Sequence, residues 1–208
     1  VAEQDFARIR STLAHALGLM LFLNLPATIG LIVLARPIVA VIFGRGNFTA
    51  ADTIATAAAL QLYAIGLVGY SIVRIISPTF YAVGRSRIPV MVSAGSVLVN
   101  IALNVTLVGI LGYRGLALGT SITAIVNASV QLFLLRREIH GMEGTRIATS
   151  FAKVIAASAV MGAVTWGVHT AMLGALPGPA LALQMIRLLV TIAASMAALA
   201  GVAELIGI

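Results

Sequence analysis

Between Arg10 and Arg36 the sequence carries no charged side chain, and apolar runs of similar length recur to its end. A helix needs about 20 mostly apolar residues to cross a hydrocarbon layer ~30 Å thick. The charges of this chain fall at that interval. The first span is expected over residues 13–35, with Pro26 as a kink that membrane helices tolerate. The second lies between Asp52 and Arg74 and continues to about Val83. The others are expected over residues 88–111, 115–135, 154–173 and about 180–203. Residues 37–43 are too few to cross and are expected as a separate segment at the interface.

Composition supports lipid as the solvent. Only 9% of residues are charged against 61% apolar, with mean hydropathy +1.10. Soluble domains carry roughly 25% charged residues to wet their surface. The fold class that follows is all-α, a polytopic membrane helix bundle. Without cysteine the chain has neither a disulfide scaffold nor a thiolate metal site. A net charge of +7 does not point to nucleic acid, because the basic residues flank apolar runs instead of forming one patch.

The turns between spans are chemically apt. Gly44, Gly46 and Asn47 break the chain after the first span, as do Gly174, Pro177, Gly178 and Pro179 before the last. Asp52 suits a helix start, where a carboxylate meets unpaired N–H groups. Lys and Arg then set orientation. Arg8, Arg10, Arg85, Arg87, Arg136, Arg137, Arg146 and Lys153 fall on one side, against Arg36, Arg45 and Arg114 on the other. The richer side is expected in the cytoplasm, with both termini there. The chain does not start with Met, and residues 1–10 are charged and amphipathic, unlike a signal peptide. An interior or C-terminal piece of a longer protein is expected.

The spans are not uniformly apolar. Ser93, Ser96, Asn100 and Asn104 share one stripe of the third, and Thr120, Thr123, Asn127 and Gln131 repeat the spacing on the fourth. Both ridges should avoid lipid. They either hydrogen-bond helix to helix, at ~0.6 kcal/mol or somewhat more each, or line a hydrated substrate cavity. Gly115 and Gly119 form a small-xxx-small step that favours close packing there.

Arg74 lies about ten residues before Arg85 in the second span, deep for a snorkelling side chain. A cation near mid-span costs ~2.5–3.5 kcal/mol on insertion scales, so it needs a partner or a wet cavity. The acids sit near span ends, and an unpaired guanidinium suits an anionic substrate such as a phosphate. Snorkelling, or pairing with an acid elsewhere in a longer chain, is the plainer reading. Arg187 reads as an interfacial anchor, and His15, His169 and Trp166 as interfacial residues. No catalytic signature is present, neither Gly-x-Ser-x-Gly nor His-Glu-x-x-His nor a phosphate loop. Neither an enzyme site nor a cofactor or metal is expected.

Several segments together resemble a known family. Leu25-Pro26-Ala27, then Leu34-Ala35-Arg36-Pro37-Ile38, then Ile42-Phe43-Gly44-Arg45-Gly46-Asn47-Phe48-Thr49 are similar to the MurJ/MviN-type lipid II flippases. So are Tyr63-Ala64-Ile65-Gly66-Leu67, Arg74-Ile75-Ile76-Ser77-Pro78-Thr79-Phe80-Tyr81-Ala82, Arg85-Ser86-Arg87-Ile88-Pro89 and Leu111-Gly112-Tyr113-Arg114-Gly115-Leu116-Ala117. Their order and spacing carry the resemblance, which runs to about Arg137.

The resemblance implies a fourteen-helix transporter of two six-helix lobes plus an extra pair. Such proteins move undecaprenyl-pyrophosphoryl lipid II across the bacterial inner membrane by alternating access. Residues 1–137 would be the last four helices of the second lobe, residues 138–152 a cytoplasmic linker, and residues 153–208 the extra pair, whose groove takes the lipid tail. The family commonly keeps a basic residue at the position of Arg74. With the cavity reading of the two ridges, the candidate substrate-binding residues are Arg74, Asn100, Asn104, Asn127 and Gln131. Partners would be lipid II, membrane lipids and the N-terminal lobe of the parent chain. Alternatives are an exporter of another polyprenyl-linked saccharide, a multidrug antiporter of the same superfamily, or a membrane scaffold that transports nothing.

Overall fold

The structure, a computed structural model, describes residues 2–139, 141 and 144–206. Its elements are six helices: α1 (Ala2–Phe43), α2 (Ala50–Ala82), α3 (Arg87–Leu111), α4 (Tyr113–Glu138), α5 (Gly144–Ala175) and α6 (Leu181–Ile206). Each is long and apolar enough to span a membrane. Large apolar side chains are widely exposed, most plainly on α3, where Leu98 is 70%, Val105 73% and Ile110 78% exposed. An exposed apolar surface of this extent suits hydrocarbon, not water.

Boundaries depart from the sequence reading at the 138–152 linker, inside which α5 already begins at Gly144, and at the end of the first span. Residues 37–43 do not form a separate interfacial segment; they continue α1 through Pro37 to Phe43. Proline lacks an N–H, so Pro37 leaves the Val33 carbonyl without its helical donor. Polar and apolar contacts around that point hold the helix together. Gln61 Nε2 donates to the neighbouring Ile32 carbonyl at 2.8 Å. Beyond it, Ala35 and Val39 pack with Ala57 of α2, flanked by Phe48 and Leu60.

The capping expectation at α2 holds. The Thr49 N–H donates to Asp52 Oδ2 at 2.9 Å, and the Asp52 N–H donates to Thr49 Oγ1 at 3.2 Å. This reciprocal pair satisfies two donors that a helix start otherwise leaves open.

The chain divides into two compact units. The first comprises α1 up to Asn24 and the chain from Ile65 to Ala152; the second comprises Leu25 to Ala64 and the chain from Lys153 onward. In the first unit α3 and α4 form an antiparallel hairpin about Gly112, whose φ of +59° favours glycine. The Gly115–Gly119 step packs as anticipated. A Cβ at Gly115 would collide with the Leu107 backbone, and one at Gly119 would lie 2.6 Å from Asn104 Oδ1. A second small-residue seam, unforeseen in the sequence, joins α2 to α4. Cβ atoms at Gly66 and Gly69 would lie 2.8 Å from Ser121 Oγ and 2.7 Å from the Ala124 backbone. At the α4 terminus, Arg10 Nε donates to the Ile139 carbonyl at 2.8 Å, and Arg85 pairs with Glu138 at 3.0 Å. Cations suit a helix C-terminus, whose last carbonyls are unpaired.

In the second unit α5 and α6 run antiparallel along hydroxyls. Thr165 Oγ1 and Ser195 Oγ meet at 2.7 Å, while Lys153 Nζ donates to the Ile206 carbonyl at 2.9 Å. Thr165, Thr191 and Ser195 also donate to carbonyls one turn back, so these buried hydroxyls are satisfied.

Candidate functional site

The two predicted polar ridges meet. Asn100 Nδ2 on α3 donates to Thr123 Oγ1 on α4 at 3.3 Å, and Asn104 Nδ2 donates to Asn100 Oδ1 at 2.9 Å. On α4, Gln131 Nε2 donates to Asn127 Oδ1 at 2.9 Å, and Ser77 Oγ of α2 donates to Gln131 Oε1 at 3.1 Å. The hydroxyls of Ser96, Thr120 and Thr123 donate to carbonyls one turn earlier in their own helices.

Beside this seam lies a cleft of about 310 Å³. Its walls are Tyr70 of α2, Ser93, Ser96, Val97 and Asn100 of α3, and Thr120, Thr123, Ala124 and Asn127 of α4. The close approaches at Gly66, Gly69 and Gly119 set the spacing of its walls, because any side chain there would push the helices apart. The ridges therefore bond helix to helix and wall the cleft at once, with Asn100 and Thr123 taking part in both.

The five site residues fall in three places. Asn100 and Asn127 line the cleft. Asn104 and Gln131 do not; they sit behind, bonded to Asn100 and Asn127 respectively, and Gln131 is fully buried. Asn104 Oδ1 is buried with no hydrogen-bond partner among the described residues. Arg74 is exposed on the surface of the first unit, four residues from Tyr70 and so on the same face of α2. It makes no hydrogen bond or ion pair among the described residues.

Sequence reasoning missed Tyr70, which faces the cleft and is half exposed, and Ser77, whose bond ties α2 into the network. A stripe read along α2 would have found the first, since Tyr70, Arg74 and Tyr81 share a face. Arg187, read as an anchor reaching out to headgroups, is only 7% exposed and turns back onto carbonyls of its own segment.

Amides, hydroxyls and a nearby guanidinium can hold a polar or anionic group, but they offer little for general acid–base chemistry. Among the described residues no cluster of His, Asp or Glu could hold a metal ion. Six apolar spans, three of which wall an amide-lined cleft, define a multi-pass membrane protein. The comparisons make the class specific. A profile of the lipid II flippase MurJ family matches residues 1–196. The chain belongs to that family.

Among curated relatives, the probable lipid II flippase MurJ of Bdellovibrio bacteriovorus is 31% identical over 200 residues, covering 96% of this chain and 38% of that protein. The probable lipid II flippase MurJ of Rickettsia prowazekii is 37% identical over 125 residues, covering 60% of this chain and 25% of that protein. A solved structure described as lipid II flippase MurJ in an inward closed conformation superposes with a TM-score of 0.75 at 25% identity. It covers 97% of this chain and 41% of its own. The chain thus spans between 25% and 41% of the length of these relatives. It is a multi-pass bacterial membrane protein and corresponds to a C-terminal portion of the family.

Proposed function

We propose that this chain supplies the C-terminal part of a flippase that carries lipid II, an undecaprenyl-pyrophosphoryl peptidoglycan precursor, across the bacterial inner membrane by alternating access. Residues 1–137 complete the second lobe, residues 138–152 link in the cytoplasm, and residues 153–208 add the extra pair that takes the lipid tail. Both termini face the cytoplasm. The N-terminal lobe of the parent chain is the partner against which the second lobe rocks, since alternating access needs two bodies around one site.

The observation that carries the reading is Arg74. It is an exposed cation within an apolar helix, without a counter-charge among the described residues, one turn from the cleft. A guanidinium in that setting is stable where water or an anion reaches it, and its fork of donors matches pyrophosphate oxygens. In this reading Arg74 meets the pyrophosphate, Asn100 and Asn127 contact the substrate's polar parts, and Asn104 and Gln131 hold those two amides in orientation. Arg74→Ala in the full-length parent is expected to abolish complementation of a flippase-depleted strain while membrane insertion stays intact. Normal growth of that strain would reduce Arg74 to a structural role.

A scaffold reading draws on the same network, since Asn100–Thr123 and Ser77–Gln131 are helix-to-helix bonds. It leaves the exposed Arg74 and the open cleft wall without a purpose.

A further inference from the structure

In the second unit, the end of α1, the start of α2, the end of α5 and the start of α6 surround a cavity of about 300 Å³. Its polar lining is Arg36, Thr53, His169, Gln184 and Arg187, with no carboxylate among the lining residues. Asp52 neighbours Thr53 in sequence, but its carboxylate accepts from the Thr49 N–H and hydroxyl in the α2 cap.

The donors on this cavity are under-used. Arg187 is nearly buried; its Nε donates to the Leu183 carbonyl at 3.2 Å and its Nη2 to the Gly178 carbonyl at 2.7 Å. A guanidinium has five N–H groups, so both on Nη1 and one on Nη2 remain without a partner among the described residues. Arg36 is exposed and makes no hydrogen bond there. His169 Nδ1 is buried and unpartnered. A buried cation without a counter-charge is costly, and two backbone carbonyls meet only part of that demand.

We propose that this cavity binds a phosphate group, either as the head of an anionic membrane lipid or as free phosphate. Two guanidinium groups and an imidazole supply N–H donors to several acceptor oxygens, the pattern that phosphate satisfies better than a neutral group. The volume is at the small end for ligand sites, sufficient for a head and too small for a whole lipid. The polar lining residues lie three to seven positions from their helix ends, roughly 5–10 Å at 1.5 Å per residue, which is headgroup depth. Arg187 and Gln184 also brace the turn before α6 through the Gly178 and Pro179 carbonyls. That bracing involves neither Arg36 nor His169. None of the cleft residues takes part, although His169, Gln184 and Arg187 belong to the helix pair assigned above to the lipid tail.

The test uses the full-length parent in a cysteine-free background with a single cysteine at Thr53, reconstituted in nanodiscs. Phosphatidylglycerol mixed into a neutral glycolipid bilayer should slow reaction of that cysteine with a small thiol reagent relative to glycolipid alone. Adding Arg36→Gln should raise the phosphatidylglycerol fraction needed for half-protection about tenfold, the loss of one charge-assisted contact. Arg45→Gln, a loop arginine outside the lining, should leave it unchanged. Protection by inorganic phosphate in neutral bilayers assigns the site to free phosphate; protection by phosphatidylglycerol alone assigns it to a lipid head. Protection by neither, or equal relief by Arg45→Gln, would overturn the proposal.

Discussion

The glycine seam between α2 and α4 gives a comparison in which one substitution should have opposite effects at two sites. A Cβ at Gly69 would lie 2.7 Å from the carbonyl carbon and oxygen of Ala124, about 0.7 Å short of the 3.4 Å where ordinary contact begins. Those atoms are backbone and cannot swing aside, so the helices themselves must part. Overpacking of this kind costs ~1–3 kcal/mol, and the upper half of that range applies where no side chain can yield. Alanine returns up to about 1 kcal/mol through helix propensity. Gly69→Ala should therefore destabilise by roughly 1–2 kcal/mol. Gly95 on α3 has nothing within 4 Å of a built Cβ, so Gly95→Ala should gain up to about 1 kcal/mol. Unfolding by a denaturing detergent titrated into mild micelles, followed by circular dichroism, reads both variants on one scale. Equal or greater stability of Gly69→Ala relative to Gly95→Ala would refute the claim that this seam sets the α2–α4 distance.

Cysteines at Asn100 and Asn127 in the full-length parent should react with small aqueous thiol reagents, whereas one at the fully buried Gln131 should not; protection of all three would mean a dry cleft. Leucine-to-polar changes on the outer faces of α5 and α6, such as Leu189→Ser, should weaken binding of a long-chain lipid precursor more than of its short-chain analogue. Equal losses would argue against a tail groove there. Thr165→Val removes the 2.7 Å contact with Ser195 and should lower stability by ~0.6–1.7 kcal/mol in the same detergent titration; no change would mean the hydroxyl seam contributes nothing to α5–α6 pairing.

The six spans were legible because charge spacing and the bilayer's thickness are both local quantities. The α3–α4 pairing was legible for a similar reason. Two ridges of matching period, Gly115 and Gly119, and a short connection leave one way to fold the hairpin. What escaped notice depends on distant partners. Nothing near Pro37 in the sequence announces that Gln61 will supply a donor beside the freed carbonyl, so the sequence alone ends the helix too early. Arg187 lies close enough to its helix start to snorkel, and only the packing of α6 turns it inward. Of the site residues, the sequence placed Asn100 and Asn104 on the same stripe, and one lines the cleft while the other stands behind it. That distinction depends on the rotation of α3 against α4, which a periodicity of 3.6 cannot fix to within one turn.

The meagre burial of α3 has a consequence for how the chain can vary. Along Leu98 and Val105, which no helix of this chain covers, the demand is for an apolar side chain, which isoleucine, valine, leucine and phenylalanine meet alike. On the opposite side Ser96, Asn100 and Asn104 meet partners at hydrogen-bonding distance, where a single methylene matters. One helix therefore carries two kinds of alphabet, a degenerate one outside and an exacting one inside.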